Sequence, residues 1–185
     1  MDNGASSYRR FLEGDDDGIV QIIKEHKDGL MLYLNNLVVN IHLAEDLTED
    51  TFVKLIANRP RFSGKSTFKT WLYAIGRNVA LDYLRKNAKL PTVSAEEAMA
   101  LISDEADIAR NYLRTERKIQ VHNAMKRLNN EYRQVLYLVY FEEFQNQQVA
   151  SVMGKSKKQI ENLVYRAKLS LKSELEKEGF VYEDL

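Results

Sequence analysis

Only two prolines, Pro60 and Pro91, punctuate the whole chain, and between and around them apolar residues recur at three- and four-residue spacing. That spacing is the signature of an amphipathic helix, because 3.6 residues per turn bring such positions to one side. A chain so poor in proline and so periodic is expected to be all-α. Helices are predicted at 17–38, 41–58, 66–88, 113–128, 131–142, 146–153 and 157–177. Asn40 is placed to cap the second, with Glu45 and Asp46 near the positive end of its dipole, and Ser66 to cap the third. Between Asn87 and Asn111 the periodicity gives way to Pro91, Thr92, Ser94, small residues and the acids Glu96, Glu97, Asp104, Glu105 and Asp107, which is the composition of a linker. The expected architecture is two small helical domains, 1–88 and 113–185, joined by a flexible linker at 89–112.

With 44% hydrophobic and 29% charged residues the chain can build packed cores. It has no cysteine, which removes disulfides, thiolate nucleophiles and Cys-ligated zinc and fits a reducing cytoplasm. Asp15, Asp16 and Asp17 stand where a secretory signal needs an apolar core. The apolar runs Leu30 to Leu34 and Val135 to Phe141 fall well short of the ~20 residues of a membrane span. A cytoplasmic protein without membrane insertion is expected.

The charges balance at 27 basic and 27 acidic, but they are not evenly spread. Residues 1–60 carry six basic and eleven acidic side chains, residues 61–89 seven and one, and Lys155 to Lys172 six and one. Two basic islands in an acidic chain suit two contacts with one polyanion, and the acidic surface suits a basic protein partner. Solvated helix faces would show the same charges.

The second island has helix-turn-helix spacing. Val149, Ala150, Val152 and Met153 supply an inner face, Gly154 suits a tight turn, Ser156 a cap, and Ile160, Leu163, Val164 and Ala167 the face that packs back. The opposite face displays Lys157, Lys158, Glu161, Asn162, Tyr165, Arg166 and Lys168, donors and acceptors for phosphates and for base edges in a major groove.

The first island interleaves Arg61, Lys65, Lys69, Arg77, Arg85, Lys86 and Lys89 with Phe62, Phe68, Trp71, Tyr73 and Tyr83. Cations that hold a backbone beside rings that stack on unpaired bases suit single-stranded DNA. Asn78 follows Trp71 by nearly two turns, so the two share a helix face and the amide could read an extruded base. The same spacing also describes a core stripe of Phe68, Trp71, Leu72, Ile75 and Val79. Gly76 in mid-helix costs about 1 kcal/mol relative to alanine, with no reason visible in the sequence. In the preceding helix Ala44, Leu47, Thr51, Phe52, Leu55 and Ile56 form an inward stripe, and Glu45, Asp46, Glu49, Asp50 and Lys54 point elsewhere.

Taken together, three stretches resemble the extracytoplasmic-function sigma factors. Ala44-Glu45-Asp46-Leu47-Thr48-Glu49-Asp50-Thr51-Phe52 is similar to the family's clamp-binding helix, departing from its usual pattern at Glu49 and Asp50. The resemblance implies that Asp46, Leu47, Glu49, Asp50 and Phe52 bind core RNA polymerase. Phe62 to Asn78 resembles the segment that melts and reads the minus ten element. By that likeness Phe62, Ser63, Gly64, Lys65 and Ser66 form a specificity loop around a flipped non-template base, Trp71 and Asn78 complete its pocket, and Arg77, Asp82, Arg85 and Lys86 continue along the strand. Ala124 to Leu175 resembles the region whose helix-turn-helix reads the minus thirty-five element. That likeness assigns DNA contacts to Ser156, Lys157, Lys158, Gln159, Glu161, Asn162, Tyr165, Arg166 and Lys168. The family's usual Leu-Pro is Leu128-Asn129 here, its Gly-Thr is Lys158-Gln159, and a frequent basic residue is Glu161. Family likeness also implies an anti-sigma factor as a partner, and the acids of the linker suggest that it threads a basic channel of the polymerase otherwise used by RNA.

No phosphate-binding glycine loop, nucleophile elbow or metal-spaced histidine cluster stands in the sequence, so no enzyme, cofactor or metal is expected. His42 with Glu45 and Asp46 is an ordinary exposed first turn rather than a metal site. Two rival readings are a stand-alone helix-turn-helix regulator, which leaves the first basic island unexplained, and a helical adaptor that binds only proteins.

Overall fold

The computed structural model describes residues 3–87 and 116–177. Its helices are α1 (Asn3–Leu12), α2 (Asp17–Val38), α3 (Ile41–Asn58), α4 (Phe68–Asn87), α5 (Glu116–Arg127), α6 (Asn130–Tyr140), α7 (Asn146–Met153) and α8 (Lys157–Lys177). No strand occurs among the described residues. Helices α2, α3, α7 and α8 begin and end where the periodicity places them.

Helix α1 is a correction: no helix was expected before residue 17. Ala5, Tyr8 and Phe11 repeat at three-residue spacing, and Tyr8 and Phe11 are 1% and 2% exposed. Burying two aromatic side chains stabilises a short helix whose polar composition conceals it, at roughly 1.5–3 kcal/mol for each ring.

Helix α3 starts as expected, with the Asn40 side chain accepting from the Leu43 amide at 3.0 Å. Helix α4 does not. Ser66 donates to the Thr67 carbonyl, and Thr67 is the cap, its hydroxyl accepting from the Thr70 amide at 3.2 Å. Thr67 is the residue immediately before the first helical turn, so only its side chain reaches the orphan amides. Helix α6 ends at Tyr140, short of the expected 142, which leaves Glu142 in the turn that follows.

The N-terminal unit packs α2 against α1, α3 and α4. Ile22, Leu30, Leu34, Leu37, Ala44, Leu47, Leu55, Phe68 and Leu72 fill its centre. Gly76 finds its reason here: a Cβ at that position would lie 2.9 Å from Leu30 Cδ1, so the glycine lets α4 approach α2 closely. Ile56, placed on the inward stripe, is 41% exposed instead, because it lies 100° round the helix from Leu55. The C-terminal unit packs α8 against α5, α6 and α7 around Val135, Leu136, Leu138, Val149, Val152 and Ile160. Among the described residues no helix is long and apolar enough to cross a membrane.

The two units meet. Tyr33 Oη donates to Gln134 Oε1 at 3.3 Å, Arg77 Nε to the same oxygen at 3.0 Å, and Asn130 Nδ2 to the Leu37 carbonyl at 2.8 Å. Arg133 Nε donates to the Asn36 carbonyl at 3.1 Å, and Lys69 Nζ lies 2.7 Å from Glu142 Oε2. The Tyr73 ring stands edge-on to Phe144 at 5.3 Å. The expected linker, with its acidic residues, lies outside the described residues.

Candidate nucleic-acid and polymerase interfaces

Arg59 to Thr67 connect α3 to α4 and carry the expected specificity loop. Phe62 is half-buried, its ring 5.1 Å from Trp71 and 5.7 Å from Phe68. Ser63, Gly64 and Lys65 are exposed, with Gly64 in the left-handed region, and Ser66 is half-buried. Trp71 resolves the choice between core and pocket by serving both. One side of its indole packs on Tyr8, Phe62 and Phe68, and it also lines a cleft of about 160 Å³ with Lys54, Asn58, Pro60, Ile75 and Asn78. Asn78 is exposed at the rim. Apolar walls with two amides, Asn58 and Asn78, and one ammonium group suit a flat, polar-edged ligand.

Further along α4, Arg85 pairs with Asp82, and Arg85 and Lys86 are exposed. Arg77 departs from the expected arrangement. It lies one residue, and so 100°, from Asn78, and its Nε is engaged by Gln134 of α6. In this arrangement it belongs to the contact between the two units and not to the cleft face.

The acidic face of α3 also divides. Asp46, Glu49 and Asp50 are exposed, whereas Leu47 and Phe52 are 1% and 5% exposed. The last two are core residues that hold the helix and offer no surface to a partner. Lys27 of α2 lies 3.8 Å from Glu45 and 3.9 Å from Glu49 and trims the negative charge on one flank. No group of three or more His, Cys, Asp or Glu able to hold a metal occurs among the described residues.

In the C-terminal unit α7 ends on Gly154, at φ 65, and α8 starts with a reciprocal cap. The Gln159 amide donates to Ser156 Oγ at 3.2 Å, and the Ser156 amide to Gln159 Oε1 at 2.8 Å. Ser156 and Gln159 therefore shape the helix start. Lys157, Lys158, Glu161, Asn162, Tyr165, Arg166 and Lys168 are exposed together on one face, with Lys157 3.8 Å from Glu161 and Lys168 over the Tyr140 ring.

Sequence reasoning passed over Tyr8 on α1, Lys27 behind the acidic face, and the residues that join the units, Asn130, Arg133, Gln134 and Glu142. Only Tyr8 carried a signal, the apolar repeat at residues 5, 8 and 11.

Comparison with known proteins follows the same division. Residues 22–90 match the family model for Sigma-70 region 2, and residues 118–171 that for Sigma-70, region 4. The ECF RNA polymerase sigma factor SigC of Mycobacterium tuberculosis is 30% identical over 133 residues, 72% of this chain and 70% of its own. The chain belongs to the extracytoplasmic-function sigma factors. RNA polymerase sigma factor YlaC of Bacillus subtilis is 26% identical over 162 residues, 87% of this chain and 94% of that protein. CnrH in complex with the cytosolic domain of CnrY shares the fold of this sigma factor with a TM-score of 0.63 at 20% identity, covering 94% of this chain and 95% of the other. The sigma factor RpoE, solved with the anti-sigma factor NepR from Bartonella quintana, does so with a TM-score of 0.62 at 19% identity, over 84% and 95%.

Proposed function

We propose that this sigma factor docks on core RNA polymerase through Asp46, Glu49 and Asp50, captures one melted non-template base of the minus ten element in the Trp71–Asn78 cleft, and reads duplex DNA at the minus thirty-five element with α8. The observation that carries this reading is the cleft itself, an aromatic wall with an exposed amide at its rim on the basic helix α4. Ser63, Gly64 and Lys65 surround the strand, and Arg85 and Lys86 follow its backbone. Lys157, Lys158, Arg166 and Lys168 hold phosphates while Glu161, Asn162 and Tyr165 face the groove. Promoter opening is driven by binding energy, with no catalytic step and no cofactor, and the protein works in the cytoplasm.

The two promoter elements, about 25 base pairs apart, are separated by roughly 85 Å of duplex at about 3.4 Å per step. A packed chain of this length has a radius of gyration near 16 Å. Promoter recognition therefore requires the contact between the units to open, which releases Lys69 and Arg77 for DNA. An anti-sigma factor that favours the packed arrangement would hold the protein inactive.

The test is anisotropy of the labelled protein titrated with bacterial core polymerase, beside the triple variant Asp46→Lys, Glu49→Lys, Asp50→Lys. Tight binding lost in the variant supports the docking face. Equal binding by both moves the docking surface elsewhere.

A further inference from the structure

Tyr8 lies on α1, ahead of the segment that matches Sigma-70 region 2, which begins at residue 22. Its ring packs 5.3 Å from Trp71 and 5.5 Å from Phe68. Its hydroxyl donates to the Pro60 carbonyl at 2.7 Å, a contact between residues 52 apart in sequence. Burial pushes the phenol up to about 12, so it remains a donor across the ordinary pH range. Pro60 and Trp71 are two walls of the base-capture cleft. One turn further along α1, Phe11 carries the Arg59 guanidinium over its ring at 4.9 Å, and Arg59 is the left-handed residue, at φ 41, where the chain leaves α3 for the loop. Helix α1 thus touches the loop at two successive residues and the cleft at its aromatic wall.

A pocket selects by shape only if its walls are held. Trp71 stands on a long helix, but Pro60 belongs to a connection without a helical ladder of its own. The hydrogen bond from Tyr8 ties that connection to a helix which is itself seated firmly. At Gly18 of α2 an added Cβ would strike the Ser7 carbonyl oxygen and come within 2.8 Å of the Phe11 amide nitrogen, so α1 has no room to shift toward α2.

We propose that Tyr8 is a positioning residue for promoter melting: by fixing Pro60 against Trp71 it sets the width of the cleft and hence which extruded base is accepted. This rests on the reading of the cleft given above. The experiment uses the full chain assembled with core polymerase. Single strands of about 12 nucleotides are selected from a random pool on the wild-type holoenzyme, and the selected strand and its single-base substitutions are then measured on wild type, Tyr8→Phe and Tyr8→Ala.

Tyr8→Phe keeps the ring and removes only the hydrogen bond. It is expected to lower affinity for the selected strand about three- to tenfold, and to narrow the ratio between the preferred base and its substitutes, with core polymerase affinity unchanged. Tyr8→Ala should narrow that ratio further. A ratio equal to wild type in Tyr8→Phe overturns the positioning role while leaving base capture intact. Wild-type holoenzyme that shows no base preference at any position overturns both. Should Tyr8→Ala fail to fold, Tyr8→Phe, equal in shape, decides alone. A merely structural loss would weaken all strands equally and leave the ratio untouched, and that result too counts against the proposal.

Discussion

Replacing Glu142 by alanine tests the contact between the two units where it is most concentrated. The Glu142 side chain is 8% exposed and that of Lys69 36%, with 2.7 Å between their charged atoms. Burial, and then the charge of this carboxylate, push the Tyr73 phenol well above its ordinary range, and Lys69 lies over the Tyr73 and Phe144 rings. Exposed ion pairs contribute about 0.2–1 kcal/mol, and removing one partner of a fully buried pair costs about 3–5 kcal/mol. With one partner buried and the other a third exposed, the loss falls between these, at about 2 kcal/mol. That shifts the ratio of docked to undocked units about thirtyfold. The chain has no cysteine, so cysteines introduced at the exposed Lys24 and Ser173 accept a dye pair cleanly. Energy transfer across a urea titration then reports undocking as a midpoint separate from unfolding. Glu142→Ala should lower that midpoint, and Glu143→Gln, an exposed neighbour, should leave it in place. With Lys69→Met the double-mutant cycle should return a coupling of about 1–2 kcal/mol. An unmoved midpoint, or additivity within about 0.3 kcal/mol, would refute the claim that this pair holds the units together.

Other outcomes follow from single sites. Val39, a β-branched residue, ends α2 at φ 53; Val39→Gly should relieve about 1 kcal/mol of left-handed strain and raise the urea midpoint of unfolding, and no gain would mean the conformation carries no strain. Burial, and then the charge of Lys126, holds the His122 imidazole below its ordinary value. The unfolded chain then takes up the proton first, so this contribution is complete above about pH 6.5 and is lost as pH falls through the lower folded value. Stability should decline on acidification below about pH 6.5, and less steeply in His122→Gln; parallel pH profiles would contradict it. Asn78→Ala should keep full affinity for core polymerase and lose about 1–3 kcal/mol of discrimination at the captured base, measured on single-stranded oligonucleotides; unchanged discrimination would remove the amide from the pocket.

The faces proposed to meet polymerase and DNA were readable in the sequence to the extent that they are helical. Periodicity places α2, α3, α7 and α8, Gly154 marks the turn, and the exposed row from Lys157 to Lys168 follows directly, because in a regular helix residue spacing alone settles which side chains share a face. Leu47 and Phe52 show the limit of motif likeness. A motif joins the residues that touch a partner with those that hold the helix, and only the inward periodicity, present in the same nine residues, tells them apart. What no spacing carries is the meeting of elements distant in the chain. Arg77 sits in a basic island, yet its guanidinium is turned to Gln134. Gly76 is costly in its own helix and explained only by Leu30 of another. Tyr8 belongs to a polar stretch, yet closes a bond to Pro60. Helices and their faces are local consequences of backbone geometry, legible one segment at a time. The cleft, the contact between the units and the cost of opening it depend on packing between segments, where shape and burial decide and sequence distance does not.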